Sequence, residues 1–108
     1  MVQIYLDNAS TTKIDPLVLN YTKSILDKYG NPSSLHDLGE EAREEIEKSR
    51  EKIAISLKVK PKEIIFTSSG SESNNFALKG LSLRKKGNII TTKIEHSSVL
   101  KTCKFLEN

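Results

Sequence analysis

An α/β fold is predicted from three observations. The segment Glu63-Ile64-Ile65-Phe66-Thr67 has the side chains of a buried strand, and after a polar turn it gives way to a helical stretch in which Ala77, Leu78 and Leu81 fall together. A second such segment, Asn88-Ile89-Ile90-Thr91-Thr92, follows Lys85-Lys86-Gly87. Together they form a βαβ unit, whose handedness rule favours parallel pairing. Upstream, Ala42, Ile46, Ser49, Ile53 and Leu57 trace one stripe of a helix running from about Glu40 to Leu57.

In chain order, residues 3–6 (Gln-Ile-Tyr-Leu) are strand formers, and Asp7-Asn8-Ala9-Ser10-Thr11-Thr12 is a loop of small and polar residues. Asp15 suits an N-cap and Pro16 the first helical position; Leu17, Tyr21 and Ile25 recur every four residues, and Gly30 is the expected stop. Gly30-Asn31-Pro32-Ser33-Ser34-Leu35-His36 is rich in turn formers and reads as an ordered loop. On the long helix that follows, Glu44 and Lys48 are spaced to pair on a charged, solvated face. Ser68-Ser69-Gly70-Ser71-Glu72 ends the first strand, and Glu95-His96-Ser97-Ser98 ends the second, leading into a helix through Val99, Leu100, Cys103 and Leu106.

Composition narrows the functional classes. The 108 residues carry 17 Lys+Arg against 14 Asp+Glu, and the two signs alternate without a basic block, which speaks against nucleic-acid binding. Hydrophobic residues make up 36%, enough for a small core but not a deep one. The single cysteine, Cys103, excludes an intramolecular disulfide, and no Cys/His cluster indicates zinc. A reducing, intracellular setting is the natural reading. The first residues, Met-Val-Gln-Ile-Tyr-Leu-Asp, have neither the basic start nor the apolar run of a signal peptide, and no stretch is apolar enough to span a membrane.

Ligands of open α/β sheets bind at the carboxyl ends of the strands, so the two polar turns are expected to open on one edge. In the first, Gly70 permits close backbone approach, the serines offer hydroxyls, and the following helix N-terminus favours a phosphate. Neither the dinucleotide-binding glycine pattern nor a Walker A loop is present. Ser69-x-x-Glu72 is equally the spacing of a capping box, which needs no ligand. In the second turn, His96 offers the one type of side chain whose unperturbed pKa lies near neutrality, and a flat ring able to stack on an aromatic ligand. Taken singly, His96 and His36 read as surface or capping residues, and Cys103 as a packed thiol on an apolar helix face.

Four segments in register nevertheless resemble the N-terminal part of the cysteine desulfurases of the NifS/IscS type, members of the class V branch of pyridoxal-phosphate (PLP) enzymes. They are Tyr5-Leu6-Asp7-Asn8-Ala9-Ser10-Thr11-Thr12; Gly30-Asn31-Pro32-Ser33-Ser34-Leu35-His36; Ile64-Ile65-Phe66-Thr67-Ser68 with Glu72-Ser73-Asn74-Asn75; and Ile89-Ile90-Thr91-Thr92 with Glu95-His96. The resemblance implies the start of a fold-type-I PLP enzyme, with residues 1–14 as an N-terminal strand and loop and residues 15–108 beginning a large domain built on a mostly parallel sheet flanked by helices. It implies that Gly70 and Ser71 hold the cofactor phosphate and that His96 stacks on the pyridine ring and assists proton transfer. The Asn8 and Asn31 loops would border the substrate mouth. Ser69-Gly70-Ser71 stands where Gly-Ala-Thr is common in that family, which leaves the shape of the turn as a question for the structure.

The same resemblance implies conversion of L-cysteine to L-alanine, with sulfur passed on as a protein persulfide for iron–sulfur cluster assembly or tRNA thiolation. It further implies a cytoplasmic homodimer that hands sulfur to an acceptor or scaffold protein. A cofactor-binding lysine after Ser-x-His, an acid beyond the phosphate turn and a mobile thiol are all expected of such an enzyme. None is present here: His36 precedes Asp37, His96 precedes Ser97, and Asp7, Asp15, Asp27 and Asp37 all lie before the turn. The chain is therefore expected to be an N-terminal piece, inactive alone, of a longer enzyme. The alternatives are another class V enzyme, such as an aminotransferase or selenocysteine lyase, a non-catalytic remnant, and a small phosphate-binding module.

Overall fold

Asp15 and Pro16 open the first helix in the computed structural model, which describes residues 4–107. Asp15 Oδ1 accepts the Leu17 N–H at 2.7 Å, and Pro16 sits where no intrahelical N–H is required. Helix α1 (Pro16–Ile25) ends before Gly30, short of the expected stop. Gly30 has a steric role instead. A Cβ there would collide with the Leu38 carbonyl, and one on Gly39 would lie 2.6 Å from the Ser34 carbonyl oxygen. The 30–39 loop thus folds against the start of the next helix at a distance only glycine allows.

Helix α2 (Asp37–Leu57) begins a turn earlier than the apolar stripe suggests, because His36 Nδ1 accepts the Gly39 N–H at 3.3 Å and caps it. Ala42 and Ala54 are buried, whereas Ile53 and Leu57 at the end of the expected stripe stay exposed. The predicted Glu44–Lys48 pair forms at 3.2 Å. Its neighbour Glu45 bridges two elements, taking Lys28 Nζ at 2.9 Å and the Tyr21 hydroxyl at 3.1 Å. Those two donors, Lys28 first, hold the Glu45 carboxyl below the usual carboxylate range. Lys58 ends α2 in the left-handed region at φ 56°, which lets the Val59 N–H reach back to the Ala54 carbonyl at 2.9 Å. A 3-10 turn, Pro61–Glu63, packs against α2.

The chain divides after Glu63 into two compact units. In the second, helices α3 (Gly70–Arg84) and α4 (Ser97–Glu107) pack against each other. The expected parallel sheet is not there. Among the described residues there are helices and the 3-10 turn but no strand; residues 4–6, 64–67 and 88–92 carry no regular structure, and Gln3 lies outside the described residues. A strand exists only through its ladder. One crossover supplies two short parallel candidates, and a lone two-stranded pair is marginal in water. Apolar side chains of these segments accordingly face solvent, Ile90 being 95% exposed. No helix among the described residues is long and apolar enough to cross a membrane.

Candidate functional site

The turn before α3 is a variant of the capping box in which the carboxylate returns to the residue before the N-cap. Ser69 Oγ accepts the Glu72 N–H at 3.2 Å, while Glu72 Oε2 takes both the N–H of Ser68, at 2.6 Å, and its hydroxyl, at 2.7 Å. These two bonds from Ser68, the hydroxyl's first, hold the Glu72 carboxyl below its ordinary range. Thr67 and Ser73 share a hydroxyl bond of 2.6 Å behind the turn. What the box leaves over is a compact donor set. The first-turn N–H groups of Gly70 and Ser71 have no intrahelical acceptor, and no hydrogen bond to another described residue engages them or Ser71 Oγ.

Gly70 is not required by its backbone. Its φ is not positive, and a Cβ built on it would meet nothing within 4 Å. The structure thus has room for the alanine common at this position in the family that the sequence resembles, and Ser69 takes the preceding position as an N-cap. Capping engages Ser68, Ser69 and Glu72 and leaves aside Gly70 and Ser71, the residues expected of a phosphate cradle.

His96 is the cap of α4. Its carbonyl accepts the N–H groups of Val99, at 2.9 Å, and Leu100, at 3.2 Å, and its Nδ1 accepts the Ser98 N–H at 3.1 Å. The Ser98 hydroxyl lies 2.9 Å from the same Nδ1, and Asn74 Nδ2 donates to that hydroxyl at 2.9 Å. One residue along α3, Asn75 donates Nδ2 to the Ser71 carbonyl at 2.9 Å and accepts the Thr102 hydroxyl on Oδ1 at 3.0 Å. Thr102 Oγ1 also lies 2.7 Å from the Ser98 carbonyl. A continuous hydrogen-bonded chain therefore runs Ser71, Asn75, Thr102, Ser98, His96, with Asn74 joining at Ser98. Thr102, its centre, is 2% exposed.

The structure thus ties two of the three predicted site residues, Ser71 and His96, into one network, with Gly70 adjacent. Asn75 and Thr102 also line a groove of about 360 Å³ between α3 and α4, shared with Ser71, Lys79, Lys101 and Phe105. Sequence reasoning gave no role to Asn74, Asn75, Ser98 or Thr102. The signal available was two adjacent asparagines, poor helix formers, inside a helix. In the first unit, His36 caps α2 and Asn31 Oδ1 accepts the Ser33 N–H at 2.9 Å, so both serve local turns. Cys103 is half-buried and stands beside Leu78, Leu81, Leu100 and Leu106 in a groove that lysines also line. No group of three or more His, Cys, Asp or Glu side chains able to hold a metal occurs among the described residues.

Polar turns thus stand at the N-termini of two packed helices, one presenting an imidazole, and the sequence of the chain matches the aminotransferase class-V pattern. The chain belongs to that family, whose sequence pattern matches residues 4–108. It is 51% identical over 109 residues to cysteine desulfurase IscS of Dictyoglomus turgidum, covering 97% of this chain and 28% of that protein. It is 46% identical over 110 residues to the mitochondrial cysteine desulfurase of Drosophila melanogaster, covering 97% of this chain and 24% of the relative. A solved NifS-like protein superposes with a TM-score of 0.87 at 45% identity, over 98% of this chain and 30% of that one. The chain thus spans less than a third of the length of the relatives it matches.

Proposed function

We propose that the whole protein is a PLP-dependent cysteine desulfurase of fold type I. In this reading residues 15–108 begin its cofactor-binding domain and residues 1–14 form a lead-in segment. The observation that supports the proposal is the hydrogen-bonded chain from Ser71 to His96, which links the turn carrying Gly70 and Ser71 to the turn carrying the imidazole. The donor set fits the group: the N–H groups of Gly70 and Ser71 and the Ser71 hydroxyl suit a dianionic phosphate at a helix N-terminus. His96, exposed and held at one ring edge, would lie against the pyridine ring.

When bound, PLP supplies the electron sink that makes bonds at the substrate α-carbon labile. This chain's part is to bind and orient. Gly70 and Ser71 fix the phosphate, Asn75 pins the Ser71 turn, and His96 fixes the ring face. The overall reaction takes L-cysteine and a protein thiol to L-alanine and a protein persulfide, which balances without an external oxidant. The cytoplasm, a homodimer and a sulfur-accepting protein partner belong to the same reading, whereas nucleic acid and membrane do not.

The test is the full-length protein incubated with PLP and L-cysteine. Visible cofactor absorbance, with alanine and persulfide formed in equal amounts, is the expected result. Ser71→Ala should weaken PLP retention by about tenfold, the scale of one hydrogen bond to a charged group. Cofactor uptake with a different amino-acid product would point to another class V activity; no uptake at all would overturn the proposal.

A further inference from the structure

We infer that Asn74 and Ser98 are positioning residues that lock His96 as the Nε2–H tautomer, so that the open edge of the stacked ring presents an N–H donor and not a base. A backbone N–H can only donate, so the Ser98 N–H, at 3.1 Å from Nδ1, requires a lone pair there. The neutral ring then carries its proton on Nε2. Ser98 Oγ, 2.9 Å from the same nitrogen, has one hydrogen to give, and the amide of Asn74 donates to that oxygen at 2.9 Å. Asn74 fills one of the two acceptor sites on Oγ and holds it in place, and because Nδ1 is already an acceptor the hydroxyl must meet it as the donor. Asn74, Ser98 and His96 form a relay of one polarity.

The relay is anchored independently of His96. Ser98 is held through its carbonyl by the buried Thr102 hydroxyl, at 2.7 Å, and Thr102 is in turn bonded to Asn75. Protonation at Nδ1 would break the bond from the Ser98 N–H and leave the Ser98 hydroxyl hydrogen without its acceptor. The lone pair that could accept a proton is thus occupied twice, and the exposed ring edge offers N–H. The expectation that His96 assists proton transfer is narrowed accordingly to hydrogen-bond donation from Nε2, with no proton passed on.

This inference deepens the cofactor reading and rests on it for its functional meaning, but the tautomer itself is readable without cofactor. The experiment is ¹⁵N NMR of the full-length protein with ¹⁵N-labelled histidine, His96 being assigned by its loss in His96→Gln. In the wild type Nδ1 should resonate in the unprotonated, pyridine-like range and Nε2 in the pyrrole-like range, with or without PLP. Asn74→Asp replaces the donor by an acceptor of the same shape; it draws the Ser98 hydrogen to itself and should raise the Nδ1–H form. Ser98→Ala should shift the tautomer ratio about fivefold the same way, the scale of one lost neutral hydrogen bond, and Ser98→Thr should restore it. A protein that takes up no PLP yet shows the Nε2–H form would sink the cofactor reading and uphold this one. An Nδ1–H wild type, or a ratio that neither Asn74→Asp nor Ser98→Ala moves, would overturn it.

Discussion

Thr102 and Asn75 meet across the α3–α4 pair, the Thr102 hydroxyl donating to Asn75 Oδ1 at 3.0 Å from a position only 2% exposed. Its single hydrogen is shared with the Ser98 carbonyl at 2.7 Å. This hydroxyl links the turn that carries Ser71 with the turn that carries His96. Thr102→Val keeps the shape and removes that hydrogen, leaving two acceptors short of a donor. A loss of about 1–3 kcal/mol is expected in denaturant unfolding of the full-length protein. A double-mutant cycle with Asn75→Ala should return a coupling between the two sites, because they share the bond.

Gly39 and Gly70 should respond oppositely to alanine. At Gly39 the added Cβ would press on the Ser34 and Asn31 carbonyl oxygens, at 2.6 and 2.7 Å. Backbone must then move, at a cost of about 1–3 kcal/mol. At Gly70 the methyl group enters open space. Gly70→Ala should leave stability unchanged or raised by up to about 1 kcal/mol, with PLP retention preserved. Thermal melts of the two variants, compared side by side, decide the point.

Lys58 holds a left-handed backbone that a side chain disfavours. Lys58→Gly removes that penalty while keeping the Val59-to-Ala54 bond that closes α2. A gain of about 1 kcal/mol is expected, read as a higher denaturation midpoint.

Acidification should loosen the start of α3 through Glu72. Its carboxyl titrates below the ordinary range in the folded chain, chiefly because of the Ser68 hydroxyl. A depressed folded value means that the stabilisation is present above the unfolded carboxylate pKa and is lost as pH falls through the folded one. Stability measured from neutral to acidic pH should therefore fall less steeply in Glu72→Gln than in the wild type. Parallel curves would show that Glu72 contributes nothing to the pH dependence.

Local chemistry made much of the helical part legible. Asp15-Pro16 and Ser69-x-x-Glu72 are self-contained start signals whose bonds lie within four residues; both cap their helices, although the Glu72 carboxylate returns to Ser68 and not to Ser69. The end of α1 was not legible, because Gly30 serves a contact with Leu38, eight residues on, and not a helix cap. The sheet was misread for a related reason. Ile64-Ile65-Phe66 and Ile89-Ile90 have the side chains of strands, but β propensity expresses itself only against neighbours. At the candidate site, Gly70, Ser71 and His96 were visible from their turns, whereas the asparagine and threonine partners depend on which faces of α3 and α4 meet. That pairing joins residues 24 and 27 positions apart, beyond the reach of periodicity.

The α3–α4 joint has one more consequence, at low temperature. Attraction between apolar faces fades on cooling, since it draws on the entropy of released water. The bonds among Asn74, Asn75, Ser98 and Thr102 have no such dependence, and each is directional enough to reject a shift of one residue. Near freezing, where purely greasy helix pairs begin to slip, Ser71 and His96 should keep their mutual register.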